Sequence, residues 1–242
     1  MCDGILPPPG KVEMANRKIL QYPSQRLRKK SQAIELFDED FKSLVKDLSD
    51  TNNVNMGVGL AAPQIGEQKR VVIIDCGKLG VEYENPEPVD ELGNSQLLVL
   101  VNPELELSGP KHTWKEACLS IPGVSGMVER SQYVKLSFQN YYGKSCELEL
   151  DWPLSGVVQH ECDHLDGILY VHRMRGISRS MLLKKFEKKK KKIKEAIAAM
   201  QLPSLDEEET KKKTTSSTKR KPKPRKRRPK KNHLNKKRRK KK

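Results

Sequence analysis

The chain has 242 residues, 35% of them hydrophobic and 33% charged, and a formal net charge of +17. That length suffices for one domain with a proper core plus additional segments, while the lack of any long uncharged apolar run argues against a membrane-spanning helix. Five cysteines at irregular spacing argue against a disulfide framework and favour a reducing compartment.

The charge is unevenly placed. Residues 1–183 hold 20 Lys+Arg and 25 Asp+Glu, a net of −5, whereas residues 184–242 hold 28 and 6, a net of +22. A mildly acidic body thus carries a basic tail suited to a polyanionic partner.

In chain order, residues 1–16 read as a flexible leader without a secretory apolar core or an Arg-rich transit pattern, and Met14 offers an alternative start. Cytoplasm is the expected location, with an organelle left open. DEDFKSLVKDLSD (38–50) reads as a helix, with Phe41, Leu44, Val45 and Leu48 at helical spacing and acids in its first turn. The glycine-rich MGVGLAAPQIG (56–66) precedes a buried strand, VVIIDC (71–76). A turn-rich excursion (77–96) separates it from a second strand, LLVLVNP (97–103). YVKLSFQNY (133–141) and CELELDW (146–152) alternate apolar and polar residues around Tyr142-Gly143-Lys144, a hairpin pattern. Pro153 suits the first turn of a helix running through His160 and His164. Residues 178–200 read as a terminal helix, and 201–242 as a disordered basic tail. The expected body, 17–177, is α+β: short antiparallel strands around a central helix, with no internal repeats.

Three stretches carry chemistry. In VVQHECDHLDG (157–167), His160, Glu161 and His164 form H-E-x-x-H. Residues i and i+4 share a helix face, so both imidazoles can reach one ion, and the adjacent carboxylate can move protons to and from water. The structural alternative is a helix with two hydrogen-bonded histidines. A catalytic site needs a third protein ligand and an open position. His172 lies beyond the helix; upstream, KEACLSIPG (115–123) offers Cys118, which otherwise reads as a small core residue. The third stretch is GVGLAAPQ (57–64). Gly57 and Gly59 let the backbone come close to a ligand, and Gln64 adds an amide; the alternative is a tight turn entering a strand.

GVGLAAPQ, EACLS and QHECDHLDG resemble, in order and form, the three signature motifs of peptide deformylases. The resemblance runs from about Ile19 to Met174, taking in QRLRK near the start and ILYVHRM after the helix. It implies an enzyme that removes the formyl group from the N-terminal methionine of new polypeptides. By resemblance, Cys118, His160 and His164 bind one divalent metal, Fe2+ first, with Zn2+, Ni2+ or Co2+ as alternatives. Glu161 matches the general acid–base, and Gln64 and the backbone N–H of Leu119 match the oxyanion donors. Val58 and Val157 are expected in the methionine pocket wall, with ordinary core as the other reading. Backbone groups of Val58 and Gly59 would pair with an extended peptide.

Ala117 departs from the family, which has glycine there; its methyl would crowd the substrate backbone or demand a negative φ. Glu116 is expected to pair with Arg130, Asp163 to act as a supporting carboxylate, and Cys162 to be core. Two other functions stay open: an H-E-x-x-H peptidase, and a ribosome- or RNA-binding relative with weakened catalysis.

Some deformylases dock on the ribosome through a C-terminal helix. Here the helix position is followed by KRKPKPRKRRPKK (219–231) and KKRRKKK (236–242). Lys219, Arg220, Lys221, Arg225, Arg227, Arg228, Arg238 and Arg239 are the expected contacts with ribosomal phosphates, giving affinity without sequence readout.

Overall fold

A computed structural model describes residues 16–82, 92 and 94–199. Its contacts divide the chain into Met1–Lys191 and Lys192–Lys242; within the second, only 192–199 are described, as helix. The leader, except Asn16, and the whole basic tail lie outside the described residues.

Helix α1 (Glu39–Val54) contains the stretch read as helix but starts one residue later and runs four residues longer, with Asp38 as its N-cap, the carboxylate accepting from the Phe41 N–H. Strands β1 (Gly59–Ala61) and β2 (Val71–Asp75) follow, then one turn of helix, α2 (Cys76–Leu79). The apolar run read as 71–76 therefore ends a residue early, because the Asp75 side chain caps α2 by accepting from the Lys78 N–H. Next come β3 (Leu97–Cys118), β4 (Ile121–Gln139) and β5 (Ser145–Leu150), then helices α3 (Leu154–Leu165), α4 (Tyr170–Arg173) and α5 (Gly176–Ala199).

The expectation of short strands needs correcting, since β3 has 22 residues and β4 has 19. Pro103 does not end β3. The ladder to β4 shifts register between Val101 and Glu104, and Asn102 takes φ 51 there, a conformation asparagine tolerates better than most residues. The Asn102 amide is held at both ends, its Oδ1 accepting from the Ile34 N–H and its Nδ2 donating to the Ile34 carbonyl. The remainder of β3, through KHTWKEAC, lacked an apolar run because most of its residues face solvent.

The five strands form one antiparallel sheet in the order β1-β2-β3-β4-β5. Both faces of its first part are covered, which explains why VVIID is apolar throughout rather than alternating. Val72 and Ile74, with Leu98 and Leu100, pack toward Val157, Val158 and Leu165 of α3. Val71 and Ile73, with Leu97, Val99 and Val101, pack toward Phe41, Val45 and Leu48 of α1. A third cluster seats Leu182 and Phe186 of α5 against Val124 and Val128 of β4.

All 12 residues of α3 are buried, so the helix carrying the histidines is central to the body. Pro153 stands as its N-cap rather than in its first turn. Gln159 clamps α3 to the sheet: its Nε2 donates to the Ser131 carbonyl at 2.8 Å and its Oε1 accepts from the Ser131 N–H at 3.1 Å.

Candidate metal centre and substrate cleft

The end of β3 and the middle of α3 bring Cys118, His160 and His164 together. All three are buried, and one potential ligand atom from each lies within 4.8 Å of the others. Cys118 Sγ is 3.3 Å from His164 Nε2. His160 Nδ1 lies 2.6 Å from Glu116 Oε2, which turns its Nε2 toward the cluster. Cys162 points into the core, where burial pushes its thiol well above the ordinary range. His172 accepts from the Leu169 N–H instead of joining the cluster.

These residues fit a divalent cation. One soft thiolate with two imidazoles is a donor set for first-row transition metals. Burial opposes a positive charge on His160, yet hydrogen bonds to Cys118 and Glu116 outweigh it and hold its pKa well above the usual value, so the site favours positive charge. Two further buried atoms beside the cluster, His164 Nδ1 and Glu161 Oε2, have no hydrogen-bond partner among the described residues. Burial pushes the Glu161 carboxyl up to about 7, against the opposing pull of His160.

Gln64 approaches from the turn after β1. Its Oε1 accepts from the Ala61 N–H at 2.8 Å, which fixes the amide and leaves Nε2 facing Cys118 Sγ at 3.5 Å and Ser120 Oγ at 3.3 Å. The two glycines before it are sterically required. A Cβ on Gly59 would sit 2.9 Å from the Glu161 carboxylate, and one on Gly57 would collide with the buried Asn52 side chain. Asn52 gave no sequence signal.

Behind the cluster lies a charged network of which the motif resemblance suggested only the Glu116–Arg130 pair and a supporting role for Asp163. Arg130 is 4% exposed; its Nε donates to Glu116 Oε1 at 2.7 Å and its Nη1 to Asp163 Oδ2 at 2.6 Å. Trp114 Nε1 adds a donor to Glu116 at 2.8 Å, and Arg173 grips Asp163 from α4. Asp163 thus supports Arg130 and not a histidine directly. Burial alone would raise the Glu116 pKa, but hydrogen bonds with His160 and Arg130 prevail and hold it at about 2.

A cleft of about 470 Å³ opens onto the cluster. Gly57, Val58 and Gly59 line one wall; Lys115, Ala117, Cys118 and Leu119 line the other; Val157, His160 and Glu161 lie along it as well. Val58 and Val157 line the cleft and also pack against the core behind it. Each wall ends in a strand edge unpaired among the described residues: β1 pairs there only with β2, and the Lys115–Ala117 stretch of β3 only with β4. Ala117 is absent from the residues with positive φ, so its methyl imposes no backbone strain there.

Fold and site together define a class, a metal-dependent hydrolase of α+β build with a peptide-sized cleft. A model of the family described as polypeptide deformylase matches residues 16–180. A peptide deformylase of Aquifex aeolicus is 40% identical over 172 residues, covering 71% of this chain and 95% of the relative. The crystal structure of a Legionella pneumophila peptide deformylase superposes with TM-score 0.64 at 36% identity, covering 73% of this chain and 96% of that one. That of a Synechococcus elongatus peptide deformylase in complex with actinonin gives TM-score 0.62 at 29% identity, over 73% and 89% of the two chains. The chain belongs to the polypeptide deformylase family.

Proposed function

We propose that this chain hydrolyses the N-formyl group of formyl-methionyl nascent peptides, releasing formate, with Cys118, His160 and His164 holding one divalent metal. The observation that carries the reading is the convergence of those three side chains, with ligand atoms within 4.8 Å, on a cleft that also contains Glu161 and Gln64. Fe2+ is the metal we assign, with Zn2+, Ni2+ and Co2+ as alternatives that elemental analysis of protein purified without added metal separates; the mixed donor set suits all four.

When bound, the metal supplies Lewis acidity that polarises the formyl oxygen and acidifies water. The protein does the rest. An extended peptide lies between the free edges of β1 and β3, where strand addition gives it backbone partners at Val58, Gly59 and Ala117. Val58 and Val157 take the methionine side chain. Gln64 Nε2, its amide oriented by Ala61, donates to the oxygen that gains charge as water adds, and the Leu119 N–H donates from the other side. Glu161 accepts the proton of the attacking water and delivers it to the departing amine. The carboxyl is suited to this cycle because burial already favours its protonated form.

We extend the reading to the ribosome on composition. The stretches 219–231 and 236–242 lie outside the described residues, but their density of lysine and arginine is that of a phosphate-tracking segment. Among the described residues no helix is long and apolar enough to cross a membrane.

The test is formate release from formylated and unformylated peptides by anaerobically prepared iron protein, beside Glu161→Ala. The variant should keep its metal and lose at least about a hundredfold in turnover, the scale of a lost general acid–base. Near-normal turnover by the metal-loaded variant, or peptide-bond cleavage of the unformylated peptide, overturns the assignment; the second result would favour the peptidase.

A further inference from the structure

We infer that Lys115 is a specificity-determining residue that favours an acidic side chain at the second or third position of the peptide. The inference rests on the deformylase reading of the cleft.

Five charged or ionisable side chains line the cleft among the described residues: Lys115, Glu116, Cys118, His160 and Glu161. Four are committed. Glu116 is 3% exposed and bound to Arg130, Trp114 and His160; Cys118, His160 and Glu161 belong to the reacting centre. Lys115 is exposed, and among the described residues no hydrogen bond or ion pair occupies its ammonium. A second lysine, Lys78, stands behind the opposite wall, but its Nζ is taken up by the Gly57 carbonyl at 3.2 Å, Asn53 Oδ1 at 3.0 Å and Asp75 at 3.5 Å. Lys189 of α5 reaches the Gly123 carbonyl, at 3.3 Å, on the rim of the same cleft. Among the described residues no uncommitted carboxylate lines the cleft to neutralise this side.

Strand geometry decides which part of a substrate meets Lys115. Side chains alternate along β3, so Glu116 and Cys118 turn inward, while Lys115 and Ala117 stand on the exposed side. Lys115 is three residues before Cys118, roughly 10 Å along the strand at about 3.3 Å per residue. In an extended formyl-peptide the third Cα lies at a similar distance, roughly 9–10 Å, from the formyl carbon. With the formyl group at the cluster and the chain running out along β3, the second and third residues come alongside the ammonium. An acidic residue there gains an ion pair; a basic one meets repulsion from Lys115.

The experiment compares kcat and KM for formyl-Met-Glu-Ala and formyl-Met-Ala-Glu peptides with their Gln and Lys counterparts, all C-terminally amidated so that only the side chain differs. The full-length, metal-loaded chain should prefer Glu over Gln at one of the two positions by roughly two- to fivefold, the scale of one exposed ion pair. Lys should be less favoured still. The preference should reside in KM with kcat unchanged, because Lys115 is remote from the reacting atoms. It should shrink at about 0.5 M salt, where the Debye length falls to a few ångströms. Lys115→Ala should level the series and Lys115→Glu should invert it, while all three proteins hydrolyse the Gln peptides equally. If the Gln peptides are hydrolysed but the Glu preference is missing, or is unchanged in Lys115→Ala, this inference fails and the deformylase reading stands. If no formylated peptide is hydrolysed, both fail.

Discussion

Glu116 Oε2 lies 2.6 Å from His160 Nδ1, so the carboxylate behind the cluster fixes which imidazole nitrogen faces the metal position. This relationship defines Glu116 as a positioning residue. Glu116→Gln keeps the shape but removes the charge that supports the imidazole. Metal affinity should fall by roughly 10- to 100-fold, the usual scale for a lost partner of a ligating histidine. Competition with a chelator, followed by elemental analysis, measures it; unchanged affinity would show that His160 is oriented by packing alone.

Gly59 should tolerate no side chain. A Cβ at that position would lie 2.9 Å from the Glu161 carboxylate, which would have to shift. Gly59→Ala should therefore displace Glu161 while leaving the three ligand side chains alone. The expected result is full metal content with turnover down by roughly tenfold or more, the effect of misplacing a reacting group by about an ångström. Parallel metal analysis and formate assay would separate this outcome from simple misfolding.

Arg130 is the keystone of the buried network. Arg130→Met leaves Glu116 and Asp163 facing each other's surroundings without their shared cation, which should destabilise the fold by about 3–5 kcal/mol in urea unfolding. The loss should depend on pH in a definite sense. Glu116 is held at about 2 in the folded chain, below its unfolded value of about 4.3, so its share of stability is present above about pH 4.3 and is lost as pH falls toward 2. The gap between wild type and variant should accordingly be widest near neutrality and narrow in acid.

Truncation after Met200 removes the basic stretches and none of the cleft. The full chain should bind ribosomes tightly at low salt with a steep negative slope of log K against log salt, and the truncated chain should lose most of that slope. Hydrolysis of a short formyl-methionyl peptide should be intact in both. Sedimentation with ribosomes across a salt series decides it; equal co-sedimentation would assign the tail another purpose.

The legible parts of this chain were those in which one residue type has one job at a fixed spacing. His160 and His164 share a helix face by arithmetic, and the spacing of Phe41, Val45 and Leu48 marks the buried face of α1. The meeting of Cys118 with the two histidines was not legible from spacing, because it depends on where a long strand ends relative to a helix packed beneath it; only the motif resemblance supplied it. Strand β3 was read too short for a related reason. Beyond Pro103 it pairs through a register shift and presents mostly polar residues, so neither apolar alternation nor an unbroken apolar run marks it. The Arg130–Asp163–Arg173 network and the fit of Asn52 behind Gly57 depend on side chains from distant segments and leave no local trace.

The site's donors come from two places that only folding unites: Cys118 at the end of a strand and His164 on a helix 46 residues later. A cation seated among them acts as a cross-link between sheet and helix, made only in the native chain. Its binding free energy is therefore added to that of folding, by an amount that rises with the logarithm of free metal over the dissociation constant. With a cation so held, the melting temperature should rise with free metal, and a chain starved of metal should unfold more readily.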